Sequence, residues 1–331
     1  MENREMMIER KTSSQNSDHE EENVLLTSSQ TSGYEEDNTF LSDSQSSDHG
    51  EENASLSDSQ SSDHGEENTP LTDSQSSDHE EENASLTSSL LREGERLDDL
   101  QREGFYLIQN PSRFCFGMDA VLLGAFALTR QGEQVLDLCS GNGIVPMLLC
   151  ARNRTIHVTG LEIDEYAVDM ARRSALYNGL TERTAFIQGD IREARDFISP
   201  ASFHAITVNP PYMRGGSGLL NPSNVLAAAR HEILCNLDDV TAAAAYALKS
   251  SGRLYMVHRP GRLAEIIQSM SRHHLEIKRM QLVYPYIDKE SNMVLLEARK
   301  GGNPGMIVEK PLIVYQAPGV YTPEVLELYY G

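Results

Sequence analysis

Apolar positions are sparse along this chain up to about residue 90, and beyond it they gather into short runs separated by polar turns. Residues 134–138 (QVLDL) form one such run around a single acid, the pattern of a parallel strand buried on both faces. Ser140, Gly141, Asn142 and Gly143 follow and predict a tight turn where backbone can approach a ligand closely. Residues 144–150 are apolar enough to be the next helix, and Pro146 is tolerable in its first turn. The same reading predicts strands over 155–162, 184–188, 203–208, 253–257, 277–284 and 293–298. Helices are predicted over 166–177, 225–234 and 240–248. Seven strands alternate with helices until the last two, which should close the sheet as an antiparallel pair. The expected fold is α/β: a doubly wound, mainly parallel sheet that binds its ligand at the strands' carboxyl ends.

Upstream, the charged stretch 92–102 reads as a linking helix and 104–108 (GFYLI) as a strand. Pro111 breaks the chain, and 120–128 (AVLLGAFAL) reads as a buried helix with Asp119 as its N-cap. This lead-in either covers the ligand site or serves as a packing layer.

The first 90 residues change the picture of charge. They hold 23 acids and 3 bases, leaving 27 acids and 25 bases in the rest, so the net −22 belongs almost wholly to a tail. Asn23, Asn38, Asn53, Asn68 and Asn83 recur every 15 residues, and each unit carries little more than one leucine (Leu26, Leu41, Leu56, Leu71, Leu86). So few apolar groups cannot offset the entropy of ordering, and the segment is expected to be a disordered, low-complexity acidic tail. The near-identity of the middle units suggests tandem duplication. His49, His64 and His79 stand among carboxylates, but a solvated acidic face explains them better than metal binding. The two expected regions are therefore a tail over 1–90 and a folded, nearly neutral domain over 91–331, whose charge does not exclude a nucleic-acid substrate.

Cys115, Cys139, Cys150 and Cys235 have no C-x-x-C or metal-ligand spacing and read as free, mostly buried thiols of a reducing compartment. The N-terminus lacks the apolar core of a signal peptide, and no apolar run reaches the roughly 18 residues of a membrane span. A cytoplasmic monomer without membrane contact or metal is expected.

Four polar features fall at successive strand ends: Asp137 with Gly141 and Gly143, then Glu162, then Asp190, then Asn209-Pro210-Pro211-Tyr212. A lone G-x-G is weak evidence for a ligand. Three acids in order, each after an apolar strand, favour a nucleoside site. Glu162 stands where an acid can grip both ribose hydroxyls. Asp190 can accept from an exocyclic adenine amine, with Ile191 against the ring.

The series D-x-x-x-G-N-G, G-L-E, G-D-I and N-P-P-Y resembles the motifs of class I S-adenosylmethionine (SAM) methyltransferases, which have a Rossmann-like seven-stranded sheet. N-P-P-Y is similar to the signature of enzymes that methylate planar nitrogens: adenine N6, guanine N2 or glutamine N5. FCFGMDAVLL over 114–123 and Ala229-Arg230-His231-Glu232 resemble the bacterial tRNA1(Val) adenine-N6-methyltransferase family, from about Leu97 onward. The resemblance implies SAM as cofactor, held by Asp137, Ser140, Gly141, Gly143, Glu162, Ile163, Asp190, Ile191 and Asn209. It implies tRNA as partner and the adenine next to the anticodon as target. Asn209, Pro210 and Tyr212 would be catalytic, and Asn209, Pro211, Tyr212, Arg214 and Arg230 would hold the substrate.

The chemistry suits these residue types. An adenine amine is a poor nucleophile because its lone pair is shared with the ring. The Asn209 side-chain oxygen and the Pro210 carbonyl can accept its two N–H groups and aim that lone pair at a methyl donor. Tyr212 can stack on the base, worth roughly 1–3 kcal/mol. The base must leave its stack, so an unpaired loop is the easiest target. Candidate phosphate contacts are Arg113, Arg214, Arg230, Arg259, Arg262, Lys278 and Arg279, with Arg214 foremost. Rival readings are a protein-glutamine N5-methyltransferase, an rRNA guanine N2-methyltransferase and a non-catalytic SAM- or RNA-binding module. The acidic tail could also mimic phosphate and compete for the RNA site, an effect that salt would relieve.

Overall fold

The structure, a computed structural model, describes residues 89–113, 115–211 and 235–330. The repeat tail up to residue 88, the helix expected over 225–234 and the cluster at 229–232 lie outside the described residues.

The fold opens with an antiparallel hairpin, β1 (Arg96–Asp99) and β2 (Tyr106–Gln109). This corrects the helix expected over 92–102. Arg96 and Asp98 form an ion pair two residues apart, the same-face spacing of a strand. Gln101, Glu103 and Gly104 turn the chain with positive φ, which no helix permits. Helix α1 (Met118–Phe126) then has Gly117 as its N-cap, with no side-chain cap. Asp119 is already inside the first turn, where its carboxylate accepts from the Ala120 N–H, so its expected place as N-cap is also corrected.

Next come β3 (Gln134–Leu138), α2 (Ile144–Arg152), β4 (His157–Glu162), α3 (Glu165–Tyr177) and β5 (Thr184–Gln188). The short α4 (Ala194–Phe197) leads into β6 (Phe203–Val208). After the undescribed stretch follow α5 (Leu237–Ala247), β7 (Leu248–His258), α6 (Leu263–Arg272), β8 (Leu275–Tyr284) and β9 (Met293–Lys300). The chain ends in β10 (Ile307–Val308), β11 (Leu312–Ile313), β12 (Tyr315–Ala317), β13 (Val320–Tyr321) and α7 (Pro323–Tyr330), none of which the apolar pattern predicts.

The main sheet runs β10-β8-β9-β7-β6-β3-β4-β5. Strands β5, β4, β3, β6 and β7 are parallel, while β9 lies antiparallel between β7 and β8 as the sequence pattern implies. The seven expected strands are all present. The two-residue β10 and β11 both pair with β8 and raise the count to nine.

Alternation explains why this sheet is buried on both faces. Val135, Tyr255 and Val257 face a core with α1, α2 and α7, whereas Leu136, Leu254 and Met256 face one with α5 and α6. The hairpin packs on α3 through Leu97, Ile108, Ala167 and Met170. Between β4 and β6, the two neighbours of β3, the connections leave in opposite directions. The carboxyl end of β3 is thus the sheet's switch point, where a crevice opens.

Candidate active site

Asp137 lies on β3 between Gly160 of β4 and Thr207 of β6. Its side chain is fully buried, and the Thr207 hydroxyl donates to its Oδ1 at 2.5 Å. Burial pushes the carboxyl up to about 7, because a charge there loses its water; the Thr207 hydrogen bond pulls the other way without overcoming it. Cys139 then takes φ +57, a left-handed conformation costly for a side-chain-bearing residue, and starts the turn. The Gly143 N–H donates to the Ser140 carbonyl at 3.0 Å and closes it.

The glycines do different work. Gly141 (φ +54) has open space where a Cβ would point, so its face of the turn is free for a ligand. Gly143 (φ +87) is the N-cap of α2, and a Cβ on it would stand 3.0 Å from Ala171 and Phe186. At Gly160, inside β4, a Cβ would meet the Ser140 hydroxyl at 2.5 Å and Phe186 at 2.7 Å.

Glu162 ends β4 and reaches back to this turn. Its Oε2 accepts from the Gly141 N–H at 2.9 Å, and its Oε1 from the N–H groups of Ile163 (2.9 Å) and Asp164 (3.0 Å). Asp190 follows β5 and caps a turn of 3-10 helix over Ile191–Glu193. The Arg192 guanidinium grips its carboxylate and holds it below the usual carboxylate range. Ile191 is buried beside it. The three acids and the glycine turn thus meet along one edge, with carboxylate oxygens for hydroxyl and amine donors and an open glycine face.

Asn209, half-buried, follows β6 directly, with Pro210 buried and Pro211 half-buried. β6 is the neighbour of β3, so this segment adjoins the glycine turn at the switch point. Tyr212, Arg214 and Arg230 lie outside the described residues.

Sequence reasoning missed Thr207 and Asn142. Asn142 donates from the glycine turn to the Ile108 carbonyl at 3.3 Å, tying the lead-in hairpin to the site. Thr207 showed only as a polar residue in an apolar run, and Asn142 only as one of the four turn residues after β3. Gly160 had a clearer signal, an isolated glycine inside a strand.

Of the cations, Arg279 is corrected from a phosphate contact to an internal pair: it bonds Glu297 and Glu309 and lies over the Phe126 ring. Lys278 donates to the Asn303 carbonyl, Arg113 stacks on Tyr166 beside Asp164, and Arg262 pairs with Glu265. Arg259 donates to the Asn292 carbonyl. All four cysteines are free; Cys150 is buried and the others half-buried. Among the described residues no His, Cys, Asp and Glu group could hold a metal, and no helix is long and apolar enough to cross a membrane.

Comparison with known proteins gives the family of the chain. A tRNA1(Val) (adenine(37)-N6)-methyltransferase of Porphyromonas gingivalis is 30% identical over 222 residues, covering 64% of this chain and 86% of that protein. The family model of the methyltransferase small domain matches residues 117–280. The chain belongs to the SAM-dependent N-methyltransferases these proteins represent. A methyltransferase of the same description from Aeromonas hydrophila is 27% identical, covering 64% of this chain and 87% of its own length. The fold matches a crystal structure from Agrobacterium tumefaciens described as "a predicted O-methyltransferase", with TM-score 0.54 and 24% identity over 64% of this chain and 96% of that one. SAM is the methyl donor of this methyltransferase. The open Gly141 face and the oxygen acceptors of Glu162 and Asp190 fit its ribose and adenine.

Proposed function

We propose that the enzyme methylates the exocyclic N6 of an adenine in tRNA, in the anticodon loop at position 37, and that it acts in the cytoplasm. The observation that carries this reading is Asn209-Pro210-Pro211 leaving β6 directly beside the glycine turn at the end of β3. The relatives' names support the choice of adenine and of tRNA.

In this reading Asp137, Ser140, Gly141, Gly143, Glu162, Ile163, Asp190, Ile191 and Asn209 hold SAM, which supplies an electrophilic methyl group. Asn209 accepts one N–H of the target amine through its side-chain oxygen, and the Pro210 carbonyl accepts the other. Both bonds draw the nitrogen out of conjugation and fix the direction of its lone pair. Pro210 lends its carbonyl without needing a partner for a backbone N–H it lacks. Pro211, Tyr212, Arg214 and Arg230 flank the base and its phosphates. The methylated nitrogen sheds its extra proton to solvent. Residues 1–90 form an acidic extension outside the methyltransferase domain of 91–331.

The test is transfer of labelled methyl from SAM to tRNA taken from cells lacking this gene, followed by nucleoside analysis. N6-methyladenosine in one tRNA, at position 37, is the expected product. Label in a protein glutamine or in guanine N2 of rRNA, with none in tRNA, would overturn the reading.

A further inference from the structure

Beyond β6 the carboxyl edge continues through β7, the start of β9 and the end of β8. The register Val208↔Met256 sets the turn after β7 next to the segment after β6. Between that turn and the loop 285–292 lies an open cleft of about 750 Å³. It is lined by Pro260, Tyr284, Ile287, Asp288, Lys289 and Glu290, among others. It lies on the side of Asn209 away from the acids assigned to SAM.

The loop that forms the cleft is braced. Asn292 donates to the Val283 carbonyl at 3.0 Å, and Lys289 to the Tyr286 carbonyl at 3.1 Å. Arg259 bridges from the β7 turn to the Asn292 carbonyl at 3.2 Å. Behind the loop the Tyr286 ring lies 5.5 Å from Tyr315, which stacks on Tyr321 at 5.0 Å. On this fixed support Ile287 is 82% exposed, the most exposed large apolar side chain among the described residues. A braced loop that holds an isoleucine in water offers an apolar face with nothing yet on it.

The chemistry of the lining selects the occupant. Two carboxylates, Asp288 and Glu290, and one ammonium, Lys289, line the cleft, and Lys289 lies 3.8 Å from Asp288. That balance repels a phosphate. It suits the edge of a nucleobase: carboxylates accept from exocyclic amines, the ammonium donates to ring nitrogens or carbonyls, and Ile287, Pro260 and Tyr284 offer apolar and aromatic surface to its faces.

We infer that this cleft binds a second unstacked base of the same RNA loop, one that flanks the target adenine. The inference rests on the RNA reading above. The cleft sets which neighbour accompanies the target, and so contributes sequence preference that the Asn209 site, which sees only the target amine, cannot supply.

The experiment measures steady-state methylation of an RNA stem-loop substrate by the full chain and by Ile287→Ala, whose exposed side chain supports no core. It includes RNAs made abasic at each position flanking the target. Ile287→Ala should raise KM for RNA about ten-fold, the loss of the apolar contact between Ile287 and the face of one base, with kcat and the SAM Kd unchanged. One abasic RNA should show the same rise with the wild type and no further rise with Ile287→Ala. Glu290→Gln should change which base is preferred at that position. Wild-type KM in Ile287→Ala, or abasic and Ala effects that multiply, would overturn the cleft while leaving RNA methylation intact. Absence of any RNA methylation by the wild type would instead overturn the RNA reading, and the cleft with it.

Discussion

The two halves of the sheet's carboxyl edge are built on opposite plans. On the β3-β4-β5 side every acid is engaged: Asp137 by Thr207, Glu162 by three backbone N–H groups, Asp190 by Arg192. Packing leaves no room for a methyl group at Gly160 and little at Gly143. On the β6-β7-β8 side Asn209 and Pro211 are half-exposed, and the cleft beyond them is open around an exposed Ile287. A small cofactor of fixed shape is best met by a site already in its bound geometry. A large RNA brings its own surface, and the protein need only present anchors. The comparison predicts that substitutions in the first half act through structure and cofactor affinity, and those in the second through turnover and RNA affinity.

The largest effect should come from Asn209→Ala. Removing one preorganised acceptor at the reacting amine should lower kcat by about 100- to 1,000-fold. The SAM Kd should stay within about three-fold. A parallel loss of SAM binding would break the division between the halves, because holding the cofactor would then be the main role of Asn209.

Gly160→Ala should act in the opposite manner. Its new Cβ would stand 2.5 Å from the Ser140 hydroxyl and 2.7 Å from Phe186. Overpacking of this kind costs about 1–3 kcal/mol, so the melting temperature should fall by several degrees and SAM binding should weaken. An unchanged melting temperature with normal SAM affinity would show that the glycine turn is looser than its packing indicates.

Glu162→Gln removes the charge that holds the Gly141, Ile163 and Asp164 N–H groups. Charge-assisted hydrogen bonds contribute about 1.5–3 kcal/mol each, and the amide keeps part of that. The SAM Kd should rise about ten- to thirty-fold by calorimetry, with RNA affinity unaltered. Weakened RNA binding without weakened SAM binding would invert the comparison.

The same contrast governs what could be read from sequence. β3 (Gln134–Leu138) and β6 (Phe203–Val208) have the predicted bounds, because a strand buried on both faces writes itself as an unbroken apolar run. The four polar strand ends were legible for the same reason: each lies at or just beyond the carboxyl end of such a run. β1 was not, since Arg96 and Asp98 satisfy each other on one face and look like helix-surface charge in a linear count. Thr207 and Gly160 derive their roles from lying either side of Asp137, and only the register of β6 and β4 on β3 supplies that. Arg279 resembled a surface cation until β9 and the segment after β10 brought Glu297 and Glu309 to it. The cleft at 285–292 joins two turns with no shared pattern. Local burial is written in the chain; partnership across the sheet is not.

The smallest predicted effect isolates the buried acid of the cofactor half. In the folded chain burial holds the Asp137 carboxyl at about 7 against an ordinary 3.8, so the folded protein binds this proton more tightly than the unfolded one. The linkage has a definite sign: Asp137's proton-linked stabilisation is full below about pH 4 and is lost as pH rises through 7. Asp137→Asn keeps an oxygen to accept from Thr207 and carries no charge. The SAM-free variant should therefore melt a few degrees above wild type at pH 8 and level with it at pH 4. Its SAM affinity should fall if the carboxylate itself faces the cofactor, and hold if Asp137 only supports the turn. Equal melting at both values would mean that Asp137 ionises freely at the switch point, and that the cofactor half is wetter than its packing implies.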